Sequence, residues 1–210
     1  MGRVKERTPE LRDRVLDAAV TILEDDGIGG FTARRLAAAA STSTAAVYEL
    51  FGDKAGLVRE MFFEGFWMLG GRLGSVPETA DPRSDLVGAI GAIRSFVQAQ
   101  PALAEVMFSR PFADFDPGPA ESEAGASVRE FIIGRVRRCV DAGLVEGNET
   151  DVAHVLLALT QGLYAQEVTG WLGTSRASMD RRWSLALEAT LDGLAPQRPP
   201  RRARRIRSGT

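Results

Sequence analysis

This 210-residue chain predicts an all-α fold, and three observations carry the prediction. Apolar residues recur at spacings of three and four almost throughout, no segment alternates apolar and polar residues long enough for a sheet, and caps and glycine stops divide the chain into helix-length pieces. Apolar residues make up 44% of the chain, enough for a buried core, so disorder of the whole chain is excluded.

The elements follow in order. Thr8-Pro9 opens the first helix, with Leu11, Val15, Ala18, Ala19, Ile22 and Leu23 on its apolar stripe, and Gly27 stops it. Thr32 caps a second helix over ARRLAAAA and Ser43 a third over TAAVYELF. Only Ser41 and Thr42 lie between them, so the two must cross steeply. From Asp53 a longer helix runs through LVREMFFEGFWMLGGRL until Gly70-Gly71 and the linker SVPETADPRSD weaken and end it. Asp81-Pro82 starts a helix that Pro101 ends, PALAEVMFS is a short helix, and RPFADFDPGPAESEAG is an irregular loop. A further helix reaches about Leu144, stopped by Gly143. Thr150 caps DVAHVLLALTQGLYAQEVTGWL, apolar on most sides and therefore expected to be buried among several neighbours. The last helix starts near Ser175, and the Arg/Pro tail after Pro196 has too little apolar content to fold. The division expected is residues 1–53 as an N-terminal three-helix unit, 54–195 as a larger helical unit, and 196–210 as a disordered tail. The helix from residue 54 is shared between the first two.

Charge and composition narrow the function. The net charge is −2, yet six of the 26 basic residues lie in the tail (Arg198, Arg201, Arg202, Arg204, Arg205 and Arg207). The rest carries 20 basic against 28 acidic residues, so contact with nucleic acid must be local. A single Cys139 and a single His154 exclude an intramolecular disulfide and a Cys/His zinc site, and no cofactor or metal is expected. The chain has no membrane-length apolar run and no signal-peptide core at its start, which suggests a cytoplasmic protein with no membrane partner. With no glycine-rich phosphate loop and no Glu-x-x-His pair, it is not expected to be an enzyme.

Physically, residues 32–54 are a helix-turn-helix whose second helix fits a major groove about 12 Å wide. That helix's amino-terminal turn, Thr44, Ala45 and Ala46, is the part that can reach base edges, while its free N–H groups favour a phosphate. Val47 and Phe51 face inward.

The stretch FTARRLAAAASTSTAAVYELFGDKAGLV, preceded by RDRVLDAAVTILEDDG, resembles the DNA-binding domain of tetracycline-repressor (TetR) family regulators over about residues 10–60. The resemblance implies a homodimer with one recognition helix per subunit on a double-stranded, palindromic operator, and a C-terminal domain that binds a small-molecule effector. It also implies that Arg34 reaches a guanine edge, that Thr44, Ala45 and Ala46 read bases, and that Tyr48 and Lys54 contact phosphates. Thr42 and Ser43 stand where hydroxyls meet the DNA backbone. Two residues depart from the family pattern. Ser41 replaces the usual turn Gly, at about 1 kcal/mol if the residue is left-handed, and Glu49 puts an acid beside the phosphates. Competing readings stand beside these: Arg35 is as flexible as Arg34, and the Tyr48 ring could pack in the three-helix core.

In the C-terminal unit, Phe66, Trp67, Phe96, Met107, Phe108, Phe112, Phe115 and Phe131 are candidates for the wall of an apolar effector cavity, with Gln161 and Tyr164 as polar members. Most such residues serve ordinary core packing in any helical bundle. Thr160, Gln161 and Tyr164 lie in an apolar helix and need partners. Trp183, Leu187, Leu191 and Leu194 form a stripe on the last helix, expected to pair two copies in a four-helix bundle unless it packs on its own domain. Cys139 is either a buried inert thiol or one activated by Arg135, Arg137 and Arg138. The function expected is a ligand-responsive, sequence-specific transcriptional regulator, a repressor released by an apolar or amphipathic molecule. The alternative is a helical carrier or interaction module without specific DNA binding.

Overall fold

The computed structural model describes residues 9–108 and 118–196. Among the described residues there are nine α-helices and no strand: α1 (Pro9–Asp26), α2 (Ala33–Ala39), α3 (Thr44–Phe51), α4 (Lys54–Gly74), α5 (Pro82–Ala99), α6 (Pro101–Phe108), α7 (Pro119–Asp141), α8 (Glu149–Val168) and α9 (Arg176–Gly193). Thr8, Phe112, Phe115 and the tail arginines fall outside the described residues.

Local chemistry explains most helix ends. The Thr32 side chain accepts from the Arg35 N–H at 3.2 Å, and Ser43 from the Ala46 N–H at 3.1 Å. Asp53 caps α4 through the Gly56 N–H at 2.8 Å. Between α2 and α3, Ser41 has φ +53°. The Thr42 N–H reaches the Ala37 carbonyl at 2.8 Å and the Ser41 N–H that of Ala38 at 3.2 Å, a complete Schellman stop with serine in the left-handed position.

Helix α4 runs through Gly70-Gly71 to Gly74, one residue past the expected LVREMFFEGFWMLGGRL run, because Leu69 and Leu73 on its inner face are buried and outweigh the glycine cost. Two boundaries differ from expectation. Residues Ala120–Gly125 belong to α7 rather than to a loop: Pro119 fits the first turn, and Ala124 packs against the core. The cap of α8 is Asn148, whose side chain accepts from the Thr150 and Asp151 N–H groups at 2.9 and 3.1 Å.

The core is continuous from head to bundle. Val15, Ala19 and Leu23 of α1 pack with Leu36, Val47 and Phe51 from α2 and α3, and α4 carries the same core onward through Leu57, Val58 and Met61 to Leu69 and Leu73. Helix α7 packs on α4, α5 and α8, and α9 packs on α8. Helix α6 touches both α4 and α1, so the bundle meets the head directly.

The expectation for α8 is corrected. Only Val152, Ala153, Leu156 and Thr160 are buried, whereas Val155, Ala158, Gly162, Ala165 and Val168 are exposed. One face of this apolar helix is left open by the described residues.

Candidate functional site

Helix α3 is fixed from behind and open in front. Val47 and Phe51 are buried, while Ser43, Thr44, Ala45 and Tyr48 are exposed and Thr42 and Ala46 are partly exposed. Tyr48 is 58% exposed, so its ring does not pack in the three-helix core. Lys54 is exposed in the first turn of α4, beside the Asp53 cap and close in sequence to the end of α3. The two neighbouring arginines of α2 are separated by their partners. Arg35 is tied to Asp26 of α1, whereas Arg34 is exposed and makes no ion pair with a carboxylate among the described residues. Arg34, Thr42, Ser43, Thr44, Ala45, Ala46, Tyr48 and Lys54 thus lie on or beside the open face of α2, the turn and α3.

The bundle handles its aromatic residues differently from expectation. Phe66 and Phe108 pack edge to face at 6.0 Å, and Phe62 meets Phe66 in a tilted ring contact at 4.7 Å. Met107 lies against Gly65 and, like Phe96, is buried. Phe131 is half-buried under the Arg135 guanidinium at 4.9 Å. Trp67 is corrected: it is 74% exposed, because one residue of helix turns it about 100° away from Phe66. Gln161 is also corrected, being exposed rather than turned into the core. Thr160 is satisfied within its own helix by donating to the Leu156 carbonyl at 2.7 Å, and Tyr164 is half-buried.

The dimer stripe is corrected in orientation. Trp183, Leu187 and Leu191 are buried within their own chain and Leu194 is partly buried, because α9 packs this face onto its own bundle. The large apolar residues exposed on these two helices and the turn between them are Leu185 on α9, Val155 and Val168 on α8, and Trp171 in the turn.

Charged side chains tie the bundle together. Arg94 of α5 makes a two-pronged contact with Glu167 of α8, both bonds 3.0 Å. The same carboxylate accepts from Gln98 at 2.8 Å and from the Trp183 indole at 2.6 Å, while Arg94 also pairs with Asp180 at 2.7 Å. Burial alone would raise the Glu167 pKa; the Arg94, Gln98 and Trp183 donors outweigh it and lower it. Sequence reasoning missed this junction, although Glu167 is the only carboxylate of α8 after Asp151. A second cluster fastens the α4–α5 linker. Buried Asp85 accepts from the Thr79 N–H and hydroxyl, each at 2.8 Å, and from Arg138 at 2.6 Å. Burial opposes its ionisation, but these donors prevail and hold the carboxyl at about 2. Cys139 is buried, and desolvation raises its thiol pKa despite nearby Arg138, so it is the inert thiol of the two expected. His154 is exposed, with Nδ1 2.8 Å from the Thr150 carbonyl.

Among the described residues no group of three His, Cys, Asp or Glu could hold a metal, and no helix is long and apolar enough to cross a membrane. A helical chain that fixes one short capped helix from behind and opens it in front is a helix-turn-helix DNA-binding protein. Residues 15–61 match the bacterial regulatory proteins of the tetR family, and residues 86–190, half of the chain, match the tetracycline repressor-like C-terminal domain. The chain belongs to the TetR family of bacterial DNA-binding regulatory proteins.

No curated protein matches the sequence at a significant level. Solved structures do share the fold. A protein of unknown function from Rhodococcus sp. RHA1 is 26% identical, with a TM-score of 0.78 over 92% of this chain and 100% of that one. The transcriptional regulator FadR from Bacillus subtilis in complex with stearoyl-CoA is 15% identical, with a TM-score of 0.73 over 86% and 98%. AibR in complex with isovaleryl coenzyme A and operator DNA is 17% identical, with a TM-score of 0.64 over 90% and 100%.

Proposed function

We propose that this chain is a homodimeric, cytoplasmic repressor that a small apolar or amphipathic effector releases from a palindromic operator. The observation that carries the reading is the exposure of the α3 amino-terminal turn over a locked Val47–Phe51 face. In it Thr44, Ala45 and Ala46 meet base edges, Thr42, Ser43, Tyr48 and Lys54 meet the phosphate backbone, and Arg34 takes a guanine edge in preference to the Asp26-bound Arg35. Residues 1–53 act as the head, 54–195 as the effector and dimer domain, and 196–210 as a tail.

Two copies join through the exposed faces of α8 and α9, where Val155, Ala158 and Gly162 on α8 and Leu185 on α9 leave apolar surface open. The Trp183, Leu187, Leu191 and Leu194 stripe supports that surface from inside. The effector lodges against Phe66, Phe96, Met107, Phe108 and Phe131, with Tyr164 at its edge. The stearoyl-CoA bound by FadR and the isovaleryl coenzyme A bound by AibR show that proteins of this fold take thioesters with an acyl chain. An effector that fits one separation of the heads better than another shifts operator affinity by that difference.

The test is selection of duplexes from a random pool, followed by affinity against salt for the winner. A palindromic winner with a steep salt slope is expected. Failure to enrich any sequence at low salt with folded protein would overturn the reading and favour a carrier or interaction module.

A further inference from the structure

Helix α3 carries one charged residue, Glu49, and the phase of the helix decides what that residue meets. Val47 and Phe51, four residues apart, are buried and fix which side of α3 faces its own domain. At about 100° per residue, Glu49 projects directly away from the midline of that buried pair, and Ala45 projects within about 40° of the same direction. Tyr48 stands about 100° to one side. Ala45 and Glu49, both exposed and one turn apart, are the centre of the open face.

When a helix lies in a groove, the centre of its open face meets the floor, where the base edges are, and its flanks meet the walls, where the phosphates are. Tyr48 falls on a flank, as a phosphate contact requires. Two features suit Glu49 to the floor. The Cα–Cβ bonds of a helix tilt toward its amino terminus, so the Glu49 carboxylate is carried back over Ala45, toward the end that enters the groove. The Ala45 methyl group fills little of the space between helix and base pairs, which leaves room for the longer side chain.

We infer that Glu49 reads a cytosine in each operator half-site, an assignment that rests on the regulator reading above. A carboxylate only accepts hydrogen bonds. In the major groove guanine offers two acceptors, and thymine an acceptor and a methyl group, so neither gives the carboxylate a donor. The donors are the cytosine N4 and adenine N6 amines. The adenine amine lies between two acceptors, N7 of its own ring and O4 of the paired thymine, which repel a carboxylate. The cytosine amine has one such neighbour, O6 of the paired guanine, and is therefore the better partner. On a duplex without that base, Glu49 loses water without gaining a donor and stands in the field of the phosphates, so it also weakens binding to other sequences. Arg34 is attracted to any duplex, whereas Glu49 is repelled by any duplex that lacks the cytosine amine.

The test takes the operator that the full chain selects from a random pool and measures affinity for duplexes carrying each base pair in turn at every position of a half-site. The parent, Glu49→Ala and Glu49→Gln are compared. The parent is expected to prefer a C·G pair at one position by about tenfold or more. Glu49→Ala loses that preference, keeps the others, and binds non-operator duplex roughly two- to tenfold more tightly. Glu49→Gln, whose amide both donates and accepts, moves the preference at the same position toward adenine. Arg34→Ala flattens a different position. Unchanged thermal midpoints show that the variants remain folded. If Glu49→Ala strengthens binding to all duplexes by one factor with every preference intact, the acid only repels phosphates and the assignment is overturned. It is overturned equally if the position that Glu49→Ala flattens is not a C·G pair. Either result, with an operator selected by the parent, leaves the regulator reading standing; a parent that selects no sequence overturns that reading and the assignment with it.

Discussion

Ser41 offers the sharpest test of how the head is built. It holds φ +53° in the helix-turn-helix turn, where the Schellman bonds from Thr42 and Ser41 leave it no other conformation. A non-glycine residue there costs about 1–2 kcal/mol. Glycine removes that cost but gives the unfolded chain more freedom, worth about 0.4–1 kcal/mol in the opposite sense. Ser41→Gly is therefore expected to stabilise by about 0.5–1 kcal/mol. In a chain of this size that is a rise of roughly 1–4 °C in thermal midpoint. Ser41→Val places a branched side chain in the same conformation and lowers the midpoint, while Ser41→Ala stays near the parent. Denaturant unfolding of the three variants, with slopes compared to exclude changes in the unfolded state, gives the order glycine, then serine and alanine, then valine. A Ser41→Gly variant no more stable than the parent would refute the reasoning, because the turn would then carry no backbone strain.

Four further outcomes are expected. Arg34→Ala costs roughly 1–3 kcal/mol of operator affinity, concentrated at one base position, whereas Arg35→Ala, which loses only its contact to Asp26, leaves base preference unchanged. Affinities against a panel of single-base operator variants distinguish them. Lys54→Ala lowers the salt slope by about one and weakens binding to all sequences alike. Asp85 titrates below its unfolded value, so the unfolded state binds the extra proton between pH 4 and 2. Stability from this group is complete above about 3.8 and falls as pH drops toward about 2; Asp85→Asn flattens that part of the profile in acid-unfolding curves. Leu185→Glu, at an exposed position, yields folded monomer in sedimentation, whereas Leu187→Glu, at a buried one, fails to give a folded chain.

What the sequence reveals and what it hides divides along a physical line. The caps at Thr32, Ser43, Asp53 and Ser175 act over three residues, so the side chain that makes each bond is legible in order along the chain. The resemblance marks Ser41 as standing where a turn Gly is usual, and its φ of +53° is seen only in the structure. Orientation is not. The spacing of Trp183, Leu187 and Leu191 correctly marks one helix face, but whether that face meets its own bundle or a second copy depends on helices far away in sequence. The aromatic run of α4 holds Phe66 and Trp67 side by side, one buried and one in solvent. Which of Arg34 and Arg35 is held by an ion pair depends on Asp26, on another helix.

On the proposed regulator reading, the contacts that would couple effector to operator are of this hidden kind. The bundle can turn the head only through elements that touch both, and α4 and α6 do so against α1. Helix α6 follows α5 with Gln100 alone between them, and α5 is anchored to α8 and α9 by Arg94, Gln98, Glu167 and Trp183. A shift of α5 is therefore resisted on the dimer side by a fully bonded carboxylate and transmitted on the head side by α6. Glu167→Gln keeps the shape but removes the charge from the Arg94 fork. With charge-assisted bonds at about 1.5–3 kcal/mol each, it is expected to destabilise the bundle by about 2 kcal/mol while Asp180 retains Arg94. If α5 transmits the signal, the same variant narrows the difference in operator affinity between effector-bound and effector-free protein. A stability loss with that difference intact would place transmission in α4 alone.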